Sequence, residues 1–315
     1  MNIRKARARY IRWLLVARNL SAHTIRAYEG DLASFERYLG SRAQVDEINR
    51  DNLVSFLEKQ KEAGLSPASL RRRTSALRGF CRWMLSEGFL KADPWNGAHV
   101  AFGRSKKLPR VLSSDELGRL LAFLKVSAGG DEHARGHGSM RERPHESTTL
   151  LAVALMVATG VRVHEVVGIR CQDIDLPGRA IRLVGKGRRE RHVYLTNAWI
   201  ADLTDNYIEA RSALKPSHSH LLFNLHYEPL TPPAMRSRLA KAASAAGLPG
   251  RVTPHMLRHT AATQLIEAGV DIRYIQRLLG HASLSTTEIY THVSDGTLKR
   301  VVSDADVLGR FVKAR

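Results

Sequence analysis

Over residues 23–40 the apolar side chains Ile25, Tyr28, Leu32, Phe35 and Leu39 recur at alternating steps of three and four. That spacing lines one face of an α-helix. Ile48, Leu53, Phe56 and Leu57 mark a second helix, stopped at Gly64. Ser66 and Pro67 then supply an N-cap and a proline at the first helical position. They open a third helix, with Leu70, Leu77, Phe80 and Met84 on its apolar side and Arg71, Arg72, Arg73, Arg78 and Arg82 on the other. The first hundred residues are thereby expected to form a small all-helical bundle with a basic face.

The pattern breaks between Asp93-Pro94 and Pro109, where Gly, Pro, Lys and Arg dominate and Arg104, Lys106, Lys107 and Arg110 lie close together. Such a stretch reads as a linker that follows a polyanion. The expected division is a helical domain over 1–95, a basic linker over 96–112 and a second domain over 113–315. In that second domain Ser113-Ser114-Asp115-Glu116 begins a helix to about Lys125. Residues 127–147 lack periodicity and read as an exposed loop. Alternation in Ile181–Val184 and in His192–Leu195, around Gly185-Lys186-Gly187-Arg188-Arg189, predicts a β-hairpin with Lys186 at its tip. From Trp199 onward most segments read as helical, including Asp271 to Leu279 with Gly280 as its terminator. His133, His137, His145, His218, His220 and His226 fall in loop-like sequence, where a solvated role is expected. The fold class is mainly α with one small antiparallel sheet.

A chain of 315 residues can bury two proper cores. Its 49 Lys and Arg stand against 30 Asp and Glu, a net charge of +19. Of these, 22 basic and 10 acidic residues fall within residues 1–110, so more than half of the excess lies in the first third. A field of that size favours a polyanion, and double-stranded DNA bound through its phosphates is the economical partner. The binding candidates are Arg71, Arg72, Arg73, Arg78, Lys106 and Lys107. Cys81 and Cys171 are far apart, with no further ligand at metal spacing, so neither a disulfide framework nor a zinc site is indicated. The longest apolar run, Leu150 to Ala158, is about half of what a membrane span requires. The N-terminus is basic without a signal-peptide core. A soluble, cytoplasmic, nucleoid-associated protein is the expectation.

The chemistry is concentrated further along the chain. Thr253-Pro254-His255-Met256-Leu257-Arg258-His259-Thr260 is followed by Leu279-Gly280-His281, and then by Ser285-Thr286-Thr287-Glu288-Ile289-Tyr290. Upstream lie Arg162, in Ala158-Thr159-Gly160-Val161-Arg162-Val163-His164-Glu165, and Lys186. Attack on a phosphodiester builds charge on its non-bridging oxygens, which Arg162, Arg258 and His281 could stabilise where other enzymes use magnesium. A free tyrosine hydroxyl has a pKa of about 10 and needs either a proton acceptor or neighbouring cations that favour the phenolate; His255 is the candidate acceptor. The departing 5′ oxygen needs a proton, which Lys186 could supply. A phosphotyrosyl ester conserves the energy of the broken bond, and no ATP-binding Gly-x-x-x-x-Gly-Lys-Ser/Thr loop occurs. No metal and no cofactor are therefore expected. Singly, each residue has a bland reading. Tyr290 could be a core aromatic, Arg162 a solvated helix-start residue paired with Glu165, and Lys186 an exposed hairpin lysine beside Arg188, Arg189 and Arg191. His255 and His259 sit at i and i+4, a metal-ligand spacing without a third ligand.

Taken together, residues 150–293 resemble the catalytic domain of the tyrosine recombinases, the phage-integrase and Xer-like family. An Arg in a Thr-Gly-x-Arg turn, a hairpin Lys, His-x-x-Arg, a His and a nucleophilic Tyr match Arg162, Lys186, His255, Arg258, His281 and Tyr290. The first hundred residues resemble that family's SAM-like core-binding domain in pattern. The resemblance implies a site-specific recombinase that cuts one strand at a time through a 3′-phosphotyrosyl link and clamps duplex DNA between its two domains. It also implies strand exchange through a Holliday junction and a homo- or hetero-tetramer on two DNA sites. The tail Thr297 to Phe311 is expected to dock on a neighbouring protomer. Alternatives are a monomeric type IB topoisomerase-like strand transferase and a non-catalytic DNA-binding protein.

Overall fold

The computed structural model describes residues 1–17, 20, 22–40, 42–98, 100, 102, 110–129, 142–185, 190–280 and 295–309. The chain divides into two compact units, Met1–Lys107 and Leu108–Arg315.

The first unit holds α1 (Ile3–Ala17), α2 (Ala22–Leu39), α3 (Arg50–Glu62) and α4 (Pro67–Ser86). The starts of α3 and α4 are fixed by side-chain caps: Asn49 accepts from the Asn52 N–H, and Ser66 accepts from the Ser69 N–H ahead of Pro67. Helix α1 is an addition to the sequence expectation, and buries Ile3, Ala6, Tyr10 and Leu14. Tyr10 packs against Phe80 and Trp83 of α4, and Phe35 of α2 against Phe56 of α3.

The basic side of α4 is only partly a free surface. Asp31 of α2 is 2% exposed and receives both Arg72 and Arg73. Arg73 also donates to Gln60 and stacks over Phe56, while Arg78 lies 5.0 Å above the Trp95 ring. A buried carboxylate must be paired, so part of this basic side serves the unit's own packing. Arg73 and Arg78 are committed within the unit, and Arg72 keeps an exposed flank. Lys106 and Lys107 lie outside the described residues.

In the second unit α5 (Ser114–Ser127) starts on a capping box between Ser113 and Glu116. It packs on α6 (Pro144–Thr159). Helix α6 is buried from Ser147 to Val157 on every side, which makes it the central helix, with α5 and the later helices Ala198–Leu214 and Pro254–Glu267 around it. Its start corrects the loop expected over 127–147, since Pro144 takes the first helical position and places His145 in a helix. Helix α7 (Val163–Gly168) follows, then a three-stranded antiparallel sheet of β1 (Ile174–Asp175), β2 (Ala180–Val184) and β3 (Glu190–Tyr194). The β2–β3 hairpin pairs Ile181 with Val193 and Leu183 with Arg191; β1 adds a short edge strand. The hairpin tip, with Lys186, lies outside the described residues.

The remaining helices are α8 (Ala198–Leu214), α9 (Pro232–Ala245), α10 (Pro254–Glu267), α11 (Ile272–Leu279) and α12 (Asp295–Ala305). His218 and His220 are half-buried rather than solvated, because Arg211 of α8 donates to both of their carbonyls.

Helix α12 corrects the docking expected for the tail. Leu298, Val302, Val307 and Leu308 are all buried in the core of their own unit, and α12 packs on β3 and α11. Lys299 Nζ donates to the Gly178 carbonyl at 2.9 Å, and Asn197 donates to Asp306 at 2.6 Å. The groove that receives its apolar face is in cis. Among the described residues no helix is long and apolar enough to cross a membrane.

Candidate active site

Two glycines in the left-handed conformation set the backbone of the site. Gly160 (φ 64°) ends α6 and turns the chain into the extended Arg162, which opens α7. A Cβ at Gly160 would lie 2.4 Å from Leu279 Cδ2, so glycine is required for both conformation and space. Gly280 (φ 63°) ends α11 in the same way. Helix α10 is capped by Thr253 with Pro254 at its first position. That start leaves His255 and His259 exposed and turns Arg258 inward, where it is 7% exposed.

Three guanidiniums converge on the last carbonyls of α11. Arg258 donates from Nη1 to the Gly160 carbonyl and from Nη2 to the Leu279 carbonyl, each at 2.7 Å. Arg162 Nη2 reaches the Gly280 carbonyl at 3.2 Å, and Arg191 Nε reaches that of Leu278 at 3.1 Å. A helix C-terminus has unpaired carbonyls and a partial negative charge, both of which these cations satisfy. Arg162 and Arg258 are thus brought together through consecutive residues of one turn. His281 follows that turn directly in sequence; it and Tyr290 lie outside the described residues, as does Lys186.

The carboxylate at the centre is Glu165, whose side chain is 1% exposed. It accepts from the Arg162 backbone N–H at 2.8 Å and from Arg162 Nη1 at 3.2 Å. Arg191 meets it with both terminal nitrogens, at 2.7 and 2.9 Å. Burial would raise the Glu165 pKa, but the hydrogen bonds and positive charge from Arg191 and Arg162 outweigh it and pull the pKa down to about 2. Burial, with the positive charges of Arg162 and Arg191, lowers Arg258 to about 10, which still leaves it cationic at neutral pH. Three cations and one anion make a site with excess positive charge, and Arg162, with 31% of its side chain exposed, is its most accessible member. Such a frame can hold an anionic phosphate.

Arg191 is the site residue that the motifs did not single out. Its signal is the alternation of β3, where Arg191 shares a face with the buried Val193. A cation on a core-facing position needs an anion, and Glu165 is a carboxylate on a short helix packed with apolar residues.

Residues 110–297 match the phage integrase family, and residues 8–88 match the N-terminal SAM-like domain of phage integrases. The tyrosine recombinase XerC of Listeria innocua is 35% identical over 298 residues, covering 92% of this chain and 94% of that protein. The XerH site-specific recombinase bound to difH substrate in a pre-cleavage complex has a TM-score of 0.64 at 26% identity, over 91% of this chain and 80% of that one. A lambda integrase tetramer bound to a Holliday junction shares the fold, with a TM-score of 0.68 at 18% identity over 92% of this chain and 77% of that one.

Proposed function

Because the chain belongs to the phage integrase family, as a Xer-like tyrosine recombinase that cleaves and rejoins DNA at specific sites, we propose that Arg162, Lys186, His255, Arg258, His281 and Tyr290 carry its chemistry. Arg162 and Arg258 hold the non-bridging oxygens of the scissile phosphate, with His281 as a third donor. His255 takes the proton of the Tyr290 hydroxyl as its oxygen attacks phosphorus. The bond to the 5′ oxygen breaks, and Lys186 delivers a proton to that oxygen, leaving a 3′-phosphotyrosyl link and a free 5′ hydroxyl. Reversal by another 5′ hydroxyl rejoins the strand without ATP. The chain's cations do the electrostatic work that a metal does elsewhere.

The observation that carries this reading is the fixing of the α11 C-terminus by Arg162 and Arg258. The two guanidiniums meet consecutive carbonyls of one turn, so Arg162 and Arg258 share one frame. For the duplex, Arg71, the exposed flank of Arg72 and, at the end of the same unit in sequence, Lys106 and Lys107 are the proposed contacts. We assign the active form as a tetramer on two DNA sites, built from this chain alone or with a second recombinase; the lambda integrase tetramer on a Holliday junction supports that assembly.

A nicked duplex that traps the covalent intermediate tests the assignment. The wild-type chain should accumulate an adduct, while Tyr290→Phe and Arg162→Ala should bind the duplex and form none. An adduct that persists in either variant removes that residue from its role. A 5′ bridging sulfur, a leaving group that needs no proton, should rescue Lys186→Ala. Absence of rescue would move the general acid elsewhere.

A further inference from the structure

We propose that Arg191, outside the six residues assigned above, is a positioning residue: it takes up the charge of Glu165 and so leaves Arg162 free for the phosphate. The inference rests on the reading of Arg162 as a phosphate ligand.

Among the described contacts, Glu165 faces two guanidiniums, and they share it unequally. Arg191 engages both oxygens in the parallel, two-bond geometry that is strongest for this pair, whereas Arg162 gives a single longer side-chain bond. Arg162 therefore keeps another nitrogen on the Gly280 carbonyl and part of its surface open. Arg191 is itself held in place. Its Nε is bonded to the Leu278 carbonyl, and a Cβ at Gly280 would lie 3.2 Å from its Nε, Cζ and Nη1, so glycine admits the guanidinium beside the turn. Opposite Leu183, one rung beyond the Val184–Glu190 pair, Arg191 also ties the base of the hairpin that carries Lys186 to the frame that holds Arg162.

Without Arg191 the buried carboxylate has one guanidinium left, and an uncompensated buried charge draws its remaining partner in. Arg162 then closes on Glu165 at the expense of the phosphate. The loss should follow from the charge left on Glu165, and removing that charge should reverse it.

The experiment measures single-turnover adduct formation by the full chain on the nicked duplex, with binding and thermal melting in parallel. Arg191→Gln should slow cleavage by about 10²-fold, as loss of a preorganised electrostatic partner does, while duplex binding persists. Glu165→Gln added to Arg191→Gln should return most of that loss, bringing the double variant within about tenfold of Glu165→Gln alone. Arg191→Lys, which keeps the charge but not the two-bond geometry, should fall between wild type and Arg191→Gln and serves as the test if Arg191→Gln fails to fold. A double variant as slow as Arg191→Gln or slower would overturn the proposal, as would an Arg191→Gln that cleaves at the wild-type rate or an Arg191→Lys as slow as an inactive variant. Arg162→Ala separates the two levels. If it cleaves normally the phosphate assignment fails, and if it is inactive while the rescue is absent only the role of Arg191 fails.

Discussion

Replacing Leu298 with alanine should lower the melting temperature of the free chain, in the absence of DNA, independently of protein concentration. Leu298 is 2% exposed on the face of α12 that closes the catalytic core. Truncating a buried leucine costs about 2–5 kcal/mol, the sum of lost transfer energy and the cavity left behind. For a unit of this size that corresponds to a fall of roughly 4–20 °C. The same reasoning bounds removal of the whole tail. Leu298, Val302, Val307 and Leu308 are each buried, and at about 1.5–3 kcal/mol apiece they contribute roughly 6–12 kcal/mol as an upper estimate. A typical domain has only about 5–15 kcal/mol in total, so a chain ending at Ser294 should lose its folded catalytic unit. Thermal and urea unfolding of Leu298→Ala at two protein concentrations decides the matter. If the free variant melts with the wild type and only pairing of DNA sites is lost, α12 belongs to a neighbour and the cis packing does not govern the protein in solution.

Arg258→Lys keeps the charge but cannot span the Gly160 and Leu279 carbonyls with one planar fork, so adduct formation should fall about 10²–10³-fold in single-turnover assays. Arg73→Ala should destabilise the first unit by about 1–3 kcal/mol, because Asp31 loses one of its two partners and keeps Arg72. Arg71→Ala should reduce the salt slope of DNA binding by about one contact. Glu165 titrates at about 2 in the folded chain, below its ordinary 4.5. Its stabilisation is therefore complete above the unfolded value and is lost as pH falls from about 4.5 through 2. Glu165→Gln should flatten the acid limb of stability against pH in that window and leave the slope above pH 6 unchanged.

Where apolar residues alone decided the face, the sequence was a sufficient guide. The three-four spacing of α2, the apolar positions of α3 and α4, the Ser66-Pro67 start of α4 and the Gly280 stop of α11 appear in the structure as read. Helix α1 was masked because Leu15 and Val16 are exposed at 61% and 90%, blurring an apolar face that depends on Ala6 and Tyr10. Charged residues misled for a related reason. Arg73 and Arg78 have the composition of a solvated face, but a buried Asp31 and the Trp95 ring claim them, and neither partner is near in sequence. The motifs named Arg162 and Arg258 correctly as neighbours; they could not reveal that Arg191 completes the same cluster, because Glu165 joins it across 26 positions of sequence. The tail pattern identified an amphipathic helix, but the neighbour's groove expected for it is replaced by one in its own unit. Membership in the phage integrase family favours the recombinase over the topoisomerase-like alternative, which shares the Arg, Lys, His and Tyr chemistry, and over the non-catalytic one.

The central claim is that this chain breaks DNA with Tyr290 while its own cations hold the phosphate. Mass spectrometry of proteolysed adduct, formed on a nicked duplex in excess EDTA, tests it most directly. The account predicts a single modified peptide, spanning Tyr290 and carrying a 3′-phosphoryl nucleotide, in a yield that EDTA leaves unchanged. Attachment to any other residue, or an adduct that disappears with the chelator, would contradict it.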